Sequence, residues 1–356
     1  MLQVYGKLPF AEIYLPTPSV FFIIIYYISI LVFRFIYNIY CETNLNQTQI
    51  RVKNLIALFK YLFNKRKVFY LKIIIIFLLL LLSVNLIPGK LKIHFVDVGQ
   101  GDCSFIITPN NKTILLDGGG SLSKYDVGKN TLIPYILDRG YTKIDFVIIS
   151  HFDQDHVGGI FSVLQELKVG EVIIPRQIED SENYQKFIKV VNERKIKVRQ
   201  VKLADRISIE KNLYIDVLWP DENQIVENPL NNNSIVCKLN YYDFSVLFTG
   251  DIEKIAEEKI FKKVKNTALK SDVLKVAHHG SKTSTTEKFL EAVSPEIALI
   301  GVGEDNKFGH PNDVIIERLM NCGAKIYRTD EEGEITIVID RKGYFKVRKL
   351  IYNIER

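Results

Sequence analysis

The sequence predicts an α/β protein with two β-sheets sandwiched between helices, a four-layer αββα sandwich, preceded by two transmembrane helices. Two observations support this class. Two long apolar runs precede residue 89, and beyond it strand-like runs cluster at both ends while strands and helices alternate in the middle. No fixed repeat or low-complexity linker divides the later part. We therefore expect one domain over residues 90–345 and a tail over 346–356.

The two apolar runs cover residues about 19–40 and 70–87. Each is about long enough to cross a hydrocarbon layer of roughly 30 Å. A signal peptide fits poorly, because the first run starts late, is rich in bulky aromatic residues and lacks a small-residue cleavage site. The sequence therefore predicts a membrane hairpin over residues 1–89.

Charge indicates how this hairpin is oriented. Residues 1–89 hold nine Lys or Arg residues and two acidic residues, which leaves a net charge of about −1 for the rest of the chain. Six of the nine cations lie between the two runs, so the positive-inside rule predicts a cytoplasmic loop over 42–67 and an extracellular domain after residue 88. The four cysteines are widely spaced and suggest neither a zinc ribbon nor a disulfide scaffold.

The elements of the later part follow from short apolar runs and turn residues. The expected strands include LKIHFVDVG, SFIITP, KTILLDGGG, YTKIDFVIIS, EVIIP, NLYIDVLWP, SIVCKLNYYDFSVLFTGD, DVLKVAHHG, IALIGVG and EITIVID. The expected helices are TLIPYILDRG, GGIFSVLQELKVG, EKIAEEKIFKKV, TEKFLEAVS and PNDVIIERLMNCG. In KIKVRQVK, Lys195, Lys197 and Arg199 alternate and would lie on one face of a strand. A solvated edge strand whose lysines prevent aggregation is favoured over a row of cations that binds the phosphates of a nucleic acid.

The run SHFDQDHVGG places polar side chains where an apolar strand ends. His151, Asp153, Asp155 and His156 are expected to converge from a tight loop, and the glycine pair that follows allows a close approach before the next helix. Two imidazoles and two carboxylates at this density suit a metal ion. The alternative is a polar loop with capping aspartates.

Three other strands also end in candidate ligands. ILLDGGG presents Asp117, VLFTGD presents Asp251, and VLKVAHHG presents His278 and His279. Neighbouring residues of a strand point to opposite faces, so we assign His279 to the metal and His278 to the substrate phosphate or the leaving group.

Further candidates flank these motifs. Ser281, Lys282 and Ser284 follow the histidine pair where a helix start would hold an anion, and a simple helix cap is the alternative. His310 in FGHP lies after a strand, where it would donate to the leaving oxygen or serve as a structural turn residue.

The order of these motifs resembles the metallo-beta-lactamase superfamily. HFVDVGQGDCSFI, LLDGG, SHFDQDHVGG, LFTGDIE, LKVAHHGSKTS and FGHPNDVIIERL are together similar to the C-terminal domain of the ComEC/Rec2 competence family, over roughly residues 90–340. Asp153 stands where the superfamily motif HxHxDH has histidine, and HxDxDH is typical of that branch. The resemblance covers only the C-terminal part of that family's proteins.

The resemblance implies a site for one or two divalent metal ions, shared through Asp251. One position would hold Asp155, His156, Asp251 and His279, and the other would hold His151, Asp153 and Asp251. None of the six histidines lies between residues 156 and 278, so the stretch NNNS with Asn233 replaces the missing third-motif histidine and would contact substrate. Asp117, Asp97 and Asp102 would support the ligands. A carboxylate in place of imidazole favours manganese, with zinc or magnesium as alternatives.

The resemblance also implies a function. A nuclease would cleave incoming DNA at the outer membrane face, with Asp155 accepting a proton from the attacking water and His278 and His310 serving the substrate. Membrane, DNA and the other parts of a DNA-uptake channel are the expected partners. Two alternatives stay open: a phosphoesterase for another ester, such as phosphocholine on a cell-wall polymer, and a non-catalytic module that binds or gates DNA.

Overall fold

The computed structural model describes residues 89–120, 125–176 and 181–350, together with six helical positions between residues 23 and 34. The chain divides into two compact units, residues 1–88 and 89–356. Apart from those six positions, the predicted spans over 19–40 and 70–87 and the basic loop over 42–67 lie outside the described residues. Among the residues that are described, the structure contains no helix with both the length and the apolar character needed to cross a membrane.

The strands of the second unit form two sheets. The eight-stranded sheet has the order β15-β14-β1-β2-β3-β4-β5-β6, and the seven-stranded sheet has the order β13-β12-β11-β10-β9-β8-β7. The strands are β1 Leu91–Phe95, β2 Ser104–Ile107, β3 Thr113–Leu116, β4 Lys143–Ile148, β5 Lys168–Pro175, β6 Lys197–Val201, β7 Arg206–Glu210, β8 Leu213–Trp219, β9 Val236–Tyr241, β10 Phe244–Phe248, β11 Val273–Lys275, β12 Ile297–Ile300, β13 Lys325–Arg328, β14 Ile335–Ile339 and β15 Phe345–Lys349.

Helices cover the outer faces of both sheets. They are α1 Ile133–Asp138, which follows a π-helical turn at Gly128–Leu132, α2 Gln154–Glu166, α3 Glu182–Arg194, α4 Pro229–Asn232, α5 Lys254–Lys263, α6 Asn266–Leu269, α7 Glu287–Val293, α8 Asp313–Asn321 and α9 Thr329–Glu332. A short 3-10 turn, Ala277–Gly280, follows β11.

Three apolar clusters hold the layers together. The central cluster lies between the two sheets and includes Ile93, Phe248 and Ile337. A second cluster joins the outer face of the eight-stranded sheet to α1, α2 and α3, and a third joins the seven-stranded sheet to α5, α7 and α8. The predicted sandwich of two sheets between helices is confirmed for this unit.

Each sheet contains a set of parallel strands. Strands β3 to β6 are parallel in one sheet, and β10 to β13 are parallel in the other. The carboxyl ends of parallel strands lie at one edge of a sheet, and loops at such edges commonly carry binding sites. The segments after β3, β4, β10 and β11 are those with the predicted ligands.

Some predicted elements need correction. The motif SHFDQDHVGG is only half loop, because α2 already begins at Gln154 and contains both glycines of the motif. Helix α3 was not predicted, and Lys195, expected in a strand, ends that helix in a left-handed conformation. The expected tail over 346–356 overlaps β15, which pairs with β14.

Candidate metal centre

Three buried histidines direct their Nε2 atoms towards one another. His151 lies just beyond β4, His156 lies in the first turn of α2, and His279 lies in the 3-10 turn. The Nε2 atoms of His156 and His279 are 3.3 Å apart, and the rings of His151 and His156 have centroids 4.1 Å apart. Two segments of the first half of the domain and one of the second half therefore meet at one point.

Three carboxylates surround these nitrogen atoms. Asp251 Oδ1 is 3.2 Å from His156 Nε2, and Asp251 Oδ2 is 3.5 Å from His279 Nε2 and 3.9 Å from His151 Nε2. Asp155 Oδ2 is 3.3 Å from His279 Nε2, and Asp153 Oδ2 is 3.5 Å from His151 Nε2. Asp251 thus contacts both halves of the cluster, as expected for a shared ligand.

The Nδ1 atom of each of the three histidine rings has its own polar partner, which leaves Nε2 available. Asp117 Oδ2 lies 3.0 Å from His156 Nδ1, the Gly301 carbonyl oxygen lies 2.7 Å from His279 Nδ1, and Ser150 Oγ lies 3.0 Å from His151 Nδ1. A carboxylate or carbonyl partner fixes the proton on Nδ1 and leaves the Nε2 lone pair for a metal. His151 Nε2 and Asp251 Oδ1 are buried without a hydrogen-bond partner, which an ion would supply. The residues fit a divalent metal.

Asp117 lies in a left-handed conformation, with φ of 56°, directly after β3. Its second carboxylate oxygen accepts a hydrogen bond of 2.7 Å from the Ser150 backbone amide. One carboxylate therefore holds the end of β4 and the ring of His156 together.

A buried ion pair supports His279. Lys275 Nζ lies 2.5 Å from Asp102 Oδ2 and donates to the Val276 carbonyl at 2.8 Å. Asp102 Oδ1 lies 3.2 Å from His279 Nδ1. Although Asp102, His156 and His279 are close enough to share an ion, the engagement of Asp102 by Lys275 makes it a support rather than a ligand.

The cluster strongly favours positive charge. Burial opposes protonation of the imidazoles, yet Asp251 and Asp102 raise the pKa of His279 to about 10, and Asp251 and Asp117 raise the pKa of His156 well above its usual value. Burial also raises the pKa values of Asp251 and Asp155, but the neighbouring histidines lower them more, so both lie below the usual range. A cation that binds here would displace these protons.

The three carboxylates of the cluster, Asp153, Asp155 and Asp251, line a cavity of about 1190 Å³. Its charged lining is strongly acidic, with a single lysine among seven carboxylates: Asp97, Asp153, Asp155, Asp251, Glu304, Asp305, Asp330 and Lys307. Two exposed aromatic side chains, Tyr125 and Phe308, also line it. Without bound cations, this cavity repels an anionic substrate.

His278 and His310 lie beside the cluster. The side chain of His278 lines the cavity, with Nε2 3.9 Å from Asp251 Oδ2. The ring of His310 has its centroid 5.5 Å from that of His278. Burial and the two neighbouring histidines lower the pKa of His310 to about 4, so it is neutral at pH 7. His278 therefore borders the space a substrate would occupy, whereas His310 lies behind it and its contact with substrate stays a prediction.

Several other predicted site residues lie elsewhere. Ser281 and Ser284 are buried outside the cavity lining, and Lys282 lines a separate pocket. Asn233 is buried, with its side-chain amide bonded to the backbone of Ile225 and Pro229, so it has no group left for a substrate. None of these four residues lines the main cavity.

Two further predictions change. Asp97 is exposed on the cavity wall, where its carboxylate accepts from the Gly99 amide, so it does not support a ligand directly. In the segment KIKVRQVK, Lys197 and Arg199 share one carboxylate, that of Glu171, which offsets only one of their two charges. The edge-strand interpretation of that segment fits the sheet order.

Sequence reasoning missed Lys275 and Ser150. Lys275 is an isolated cation in the apolar run VLKVA, and a buried lysine requires a buried partner. That interruption was a usable signal. The contacts of Ser150 with His151 and His156 had no such signal, because a serine at the end of a strand is common.

Comparisons with known proteins agree with this fold. Residues 96–304 match the family model described as the metallo-beta-lactamase superfamily. The curated relatives include ComE operon protein 3 of Bacillus subtilis, 32% identical over 256 residues, which are 68% of this chain and 32% of that protein.

Two other relatives have similar coverage. Recombination protein 2 of Haemophilus influenzae is 30% identical over 310 residues, which are 85% of this chain and 36% of that protein. Competence protein ComA of Neisseria gonorrhoeae is 28% identical over 258 residues, which are 72% of this chain and 33% of that protein. The chain spans about a third of the length of these relatives.

Proposed function

The chain belongs to the metallo-beta-lactamase superfamily, and we propose that it is a metal-dependent phosphodiesterase that cleaves DNA during uptake. The observation that carries this proposal is the convergence of three histidine Nε2 atoms with three carboxylates that line a large open cavity. The competence and recombination names of the relatives favour DNA as the substrate.

Two groups of residues would hold metal. His156, His279, Asp155 and Asp251 form one group, and His151 and Asp153 complete a second with Asp251. A divalent metal there supplies Lewis acidity, stabilising charge on a phosphoryl oxygen and lowering the pKa of water. The carboxylate-rich donor set favours manganese, with magnesium or zinc as alternatives.

The protein's own side chains would position substrate and move protons. Asp155 is partly exposed to the cavity, where its carboxylate would accept a proton from an attacking water. His278 faces the cavity and can donate a hydrogen bond to a phosphoryl oxygen, and neutral His310 can donate its ring N–H to the leaving oxygen. Asp117 and Asp102 hold the histidines in the orientation that this chemistry requires.

The location of the reaction is also part of the proposal. The positive charge between the two apolar runs favours a cytoplasmic loop, which would anchor the hairpin and leave the hydrolase unit outside the cell. In a chain with Cys41 and the exposed Cys322 replaced by serine, labelling of a cysteine introduced at Lys168 with a membrane-impermeant maleimide in intact cells tests this orientation. Labelling only after the cells are lysed would refute it.

The decisive experiment uses the full chain purified in detergent. We expect cleavage of end-labelled single-stranded DNA with manganese and none with EDTA. Loss of a residue that only orients a metal ligand costs up to about 100-fold in activity. Because Asp251 would itself bind the metal, Asp251→Asn should reduce the cleavage rate by more than that. Asp243→Asn, in the exposed turn between β9 and β10, is the matched control. Retention of DNA without turnover at any metal would instead identify a binding or gating module.

One observation favours a second candidate function. The cavity combines seven carboxylates with Tyr125 and Phe308, a lining that suits a quaternary ammonium group such as that of phosphocholine. In that case the chain would release p-nitrophenol from p-nitrophenyl phosphorylcholine and leave DNA intact. Phe308→Ala would raise KM for that ester, whereas the exposed control Tyr344→Ala would not.

A further inference from the structure

A second pocket, which we name the basic pocket, lies beside the candidate metal centre. It has a volume of about 390 Å³ and contains four cationic side chains against one carboxylate, and its lining comprises Lys254, Lys282, Thr283, Thr286, Glu287, Lys288 and Arg318. Its charge is opposite in sign to that of the main cavity. It is therefore suited to an anion.

The basic pocket is connected to the metal centre through two short segments. Lys254 lies three residues after Asp251, and Lys282 lies three residues after His279. Three residues span at most about 11 Å. The Lys254 amide donates to the Thr283 carbonyl at 2.9 Å, which joins the two segments. Both lysines are therefore held within reach of a molecule bound at the metal centre.

A contact between side chains continues this connection. Thr283 Oγ1 donates to Glu253 Oε1 at 3.0 Å, and the same oxygen lies 3.9 Å from His278 Nδ1. His278 in turn lines the main cavity. The pocket thus borders the side of the cavity that carries His278.

The floor of the basic pocket is fixed by buried contacts. Glu257 is fully buried and accepts hydrogen bonds from the Thr285 amide at 2.5 Å and from the Thr286 amide at 3.0 Å. Arg318 Nη1 donates to the Thr285 carbonyl at 3.3 Å, and Arg318 Nε is buried without a hydrogen-bond partner. The pocket therefore exists before a ligand arrives.

The lysines have few competing contacts, and the nearest for Lys288 is the Phe261 ring, whose centroid lies 4.7 Å from Lys288 Nζ. Within residues 89–120, 125–176 and 181–350, no carboxylate lies within 4.0 Å of the Lys282 or Lys288 ammonium group. Lys254 makes only a long contact of 3.9 Å with Glu258 on the exposed surface. Because these ammonium groups form at most one weak surface ion pair, little favourable electrostatic energy is lost when they bind a ligand instead.

We propose that the basic pocket binds the phosphodiester backbone of the DNA strand whose neighbouring linkage lies at the metal centre. This proposal rests on the proposed function. Successive phosphates of one strand are about 3.4 Å apart along the axis of duplex DNA and farther apart in an extended single strand, so the pocket would hold a phosphate no more than about three nucleotides from the cleaved bond. It supplies the attraction for a polyanion that the acidic cavity lacks.

The test compares Lys254→Gln/Lys282→Gln with the control Lys168→Gln/Lys189→Gln, whose exposed lysines lie on β5 and α3. Binding of the full chain to a labelled 12-nucleotide strand is followed by anisotropy in EDTA at several salt concentrations. We expect about tenfold weaker binding in the first variant. The slope of log affinity against log salt should fall by about 1.4, because two phosphate contacts are lost. The control should match the unaltered chain.

Turnover separates this proposal from the proposed function. With manganese, KM for the 12-nucleotide strand should rise in the first variant. The kcat for p-nitrophenyl thymidine 5′-phosphate, which is too short to reach the basic pocket, should not change. Lysine-dependent binding without any cleavage would refute the nuclease and support the basic pocket. Two results would refute DNA binding by the basic pocket even if cleavage is intact. In the first, the two double variants bind the DNA strand equally well. In the second, binding of a teichoic acid polymer depends on the two lysines but binding of DNA does not.

Discussion

At the scale of single residues, Asp117 determines the proton position of a candidate ligand. One carboxylate oxygen accepts from the Ser150 amide and the other lies against His156 Nδ1. Its left-handed backbone conformation is one that Asn also adopts readily. An Asp117→Asn substitution therefore changes the hydrogen bonds and leaves the backbone unstrained.

We expect Asp117→Asn to weaken manganese binding by about 10- to 100-fold, the usual cost of losing a group that orients a metal ligand. An amide has only one accepting oxygen, so either Ser150 or His156 loses its partner. The measurement is a titration of free manganese by electron paramagnetic resonance. Asp243→Asn serves as the control, and unchanged affinity in Asp117→Asn would show that His156 is oriented by other contacts.

Several residues of the candidate site could be predicted from sequence because they follow apolar strands. Asp117, His151 and Asp251 lie within three residues of the ends of β3, β4 and β10, and the ends of adjacent parallel strands meet. Asn233 could not be judged in this way, because its role depends on which backbone groups of a distant loop lie beside it. The same limit applies to Lys282, whose pocket is assembled from three separate helices.

At the scale of elements, helix α2 must pack closely on the loop after β3. A Cβ added to Gly159 would lie 2.2 Å from the Gly118 carbonyl oxygen, and one added to Gly158 would meet the flexible Gln154 side chain at 2.5 Å. Gly159 thus allows the helix that carries Asp155 and His156 to approach the loop that carries Asp117. The glycine pair was predicted to allow a close approach, but within a loop rather than inside a helix.

Gly159→Ala should destabilise the protein and the metal centre together. Overpacking costs about 1–3 kcal/mol, whereas alanine gains up to about 1 kcal/mol of helix propensity over glycine. We therefore expect a lower free energy of unfolding in urea and weaker manganese binding. Gly89→Ala is the control, since its added Cβ would lie 3.5 Å from the Pro109 carbonyl. A more stable Gly159→Ala protein would contradict this view of the packing.

Helix α3 shows why one element was missed. Its apolar positions Tyr184, Phe187, Ile188 and Val191 follow helical spacing, and the Ser181 side chain caps its first turn by accepting from the Tyr184 amide. Charged and amide residues between them lower the mean hydropathy of the segment and mask the pattern. The signal was present in the periodicity but not in the composition.

At the scale of the whole molecule, Glu334 joins the two ends of the hydrolase unit. It directly precedes β14, and its carboxylate contacts His94 Nδ1 of β1 at 2.7 Å and Arg139 Nη2, after α1, at 2.9 Å. Strand β14 pairs with β1, so the chain closes the eight-stranded sheet where it began. Burial alone would raise the pKa of Glu334, but His94 and Arg139 lower it from 4.5 to about 2.

This shift predicts how stability depends on pH. A carboxyl group with a lowered pKa stabilises the folded state fully above its unfolded pKa of about 4.3 and loses that contribution as pH falls towards its folded pKa. At pH 7 we expect the free energy of unfolding of the unaltered chain to be about 2–3 kcal/mol larger than that of Glu334→Gln. The difference should decline from pH 4.5 and vanish near pH 2. Urea unfolding across this range, with EDTA present so that metal release does not contribute, measures it.

Glu317→Gln, on the exposed face of α8, should show no such pH dependence. A constant difference between the unaltered chain and Glu334→Gln at all pH values would mean that Glu334 acts through its shape, because the ionised carboxylate would then contribute nothing that glutamine does not.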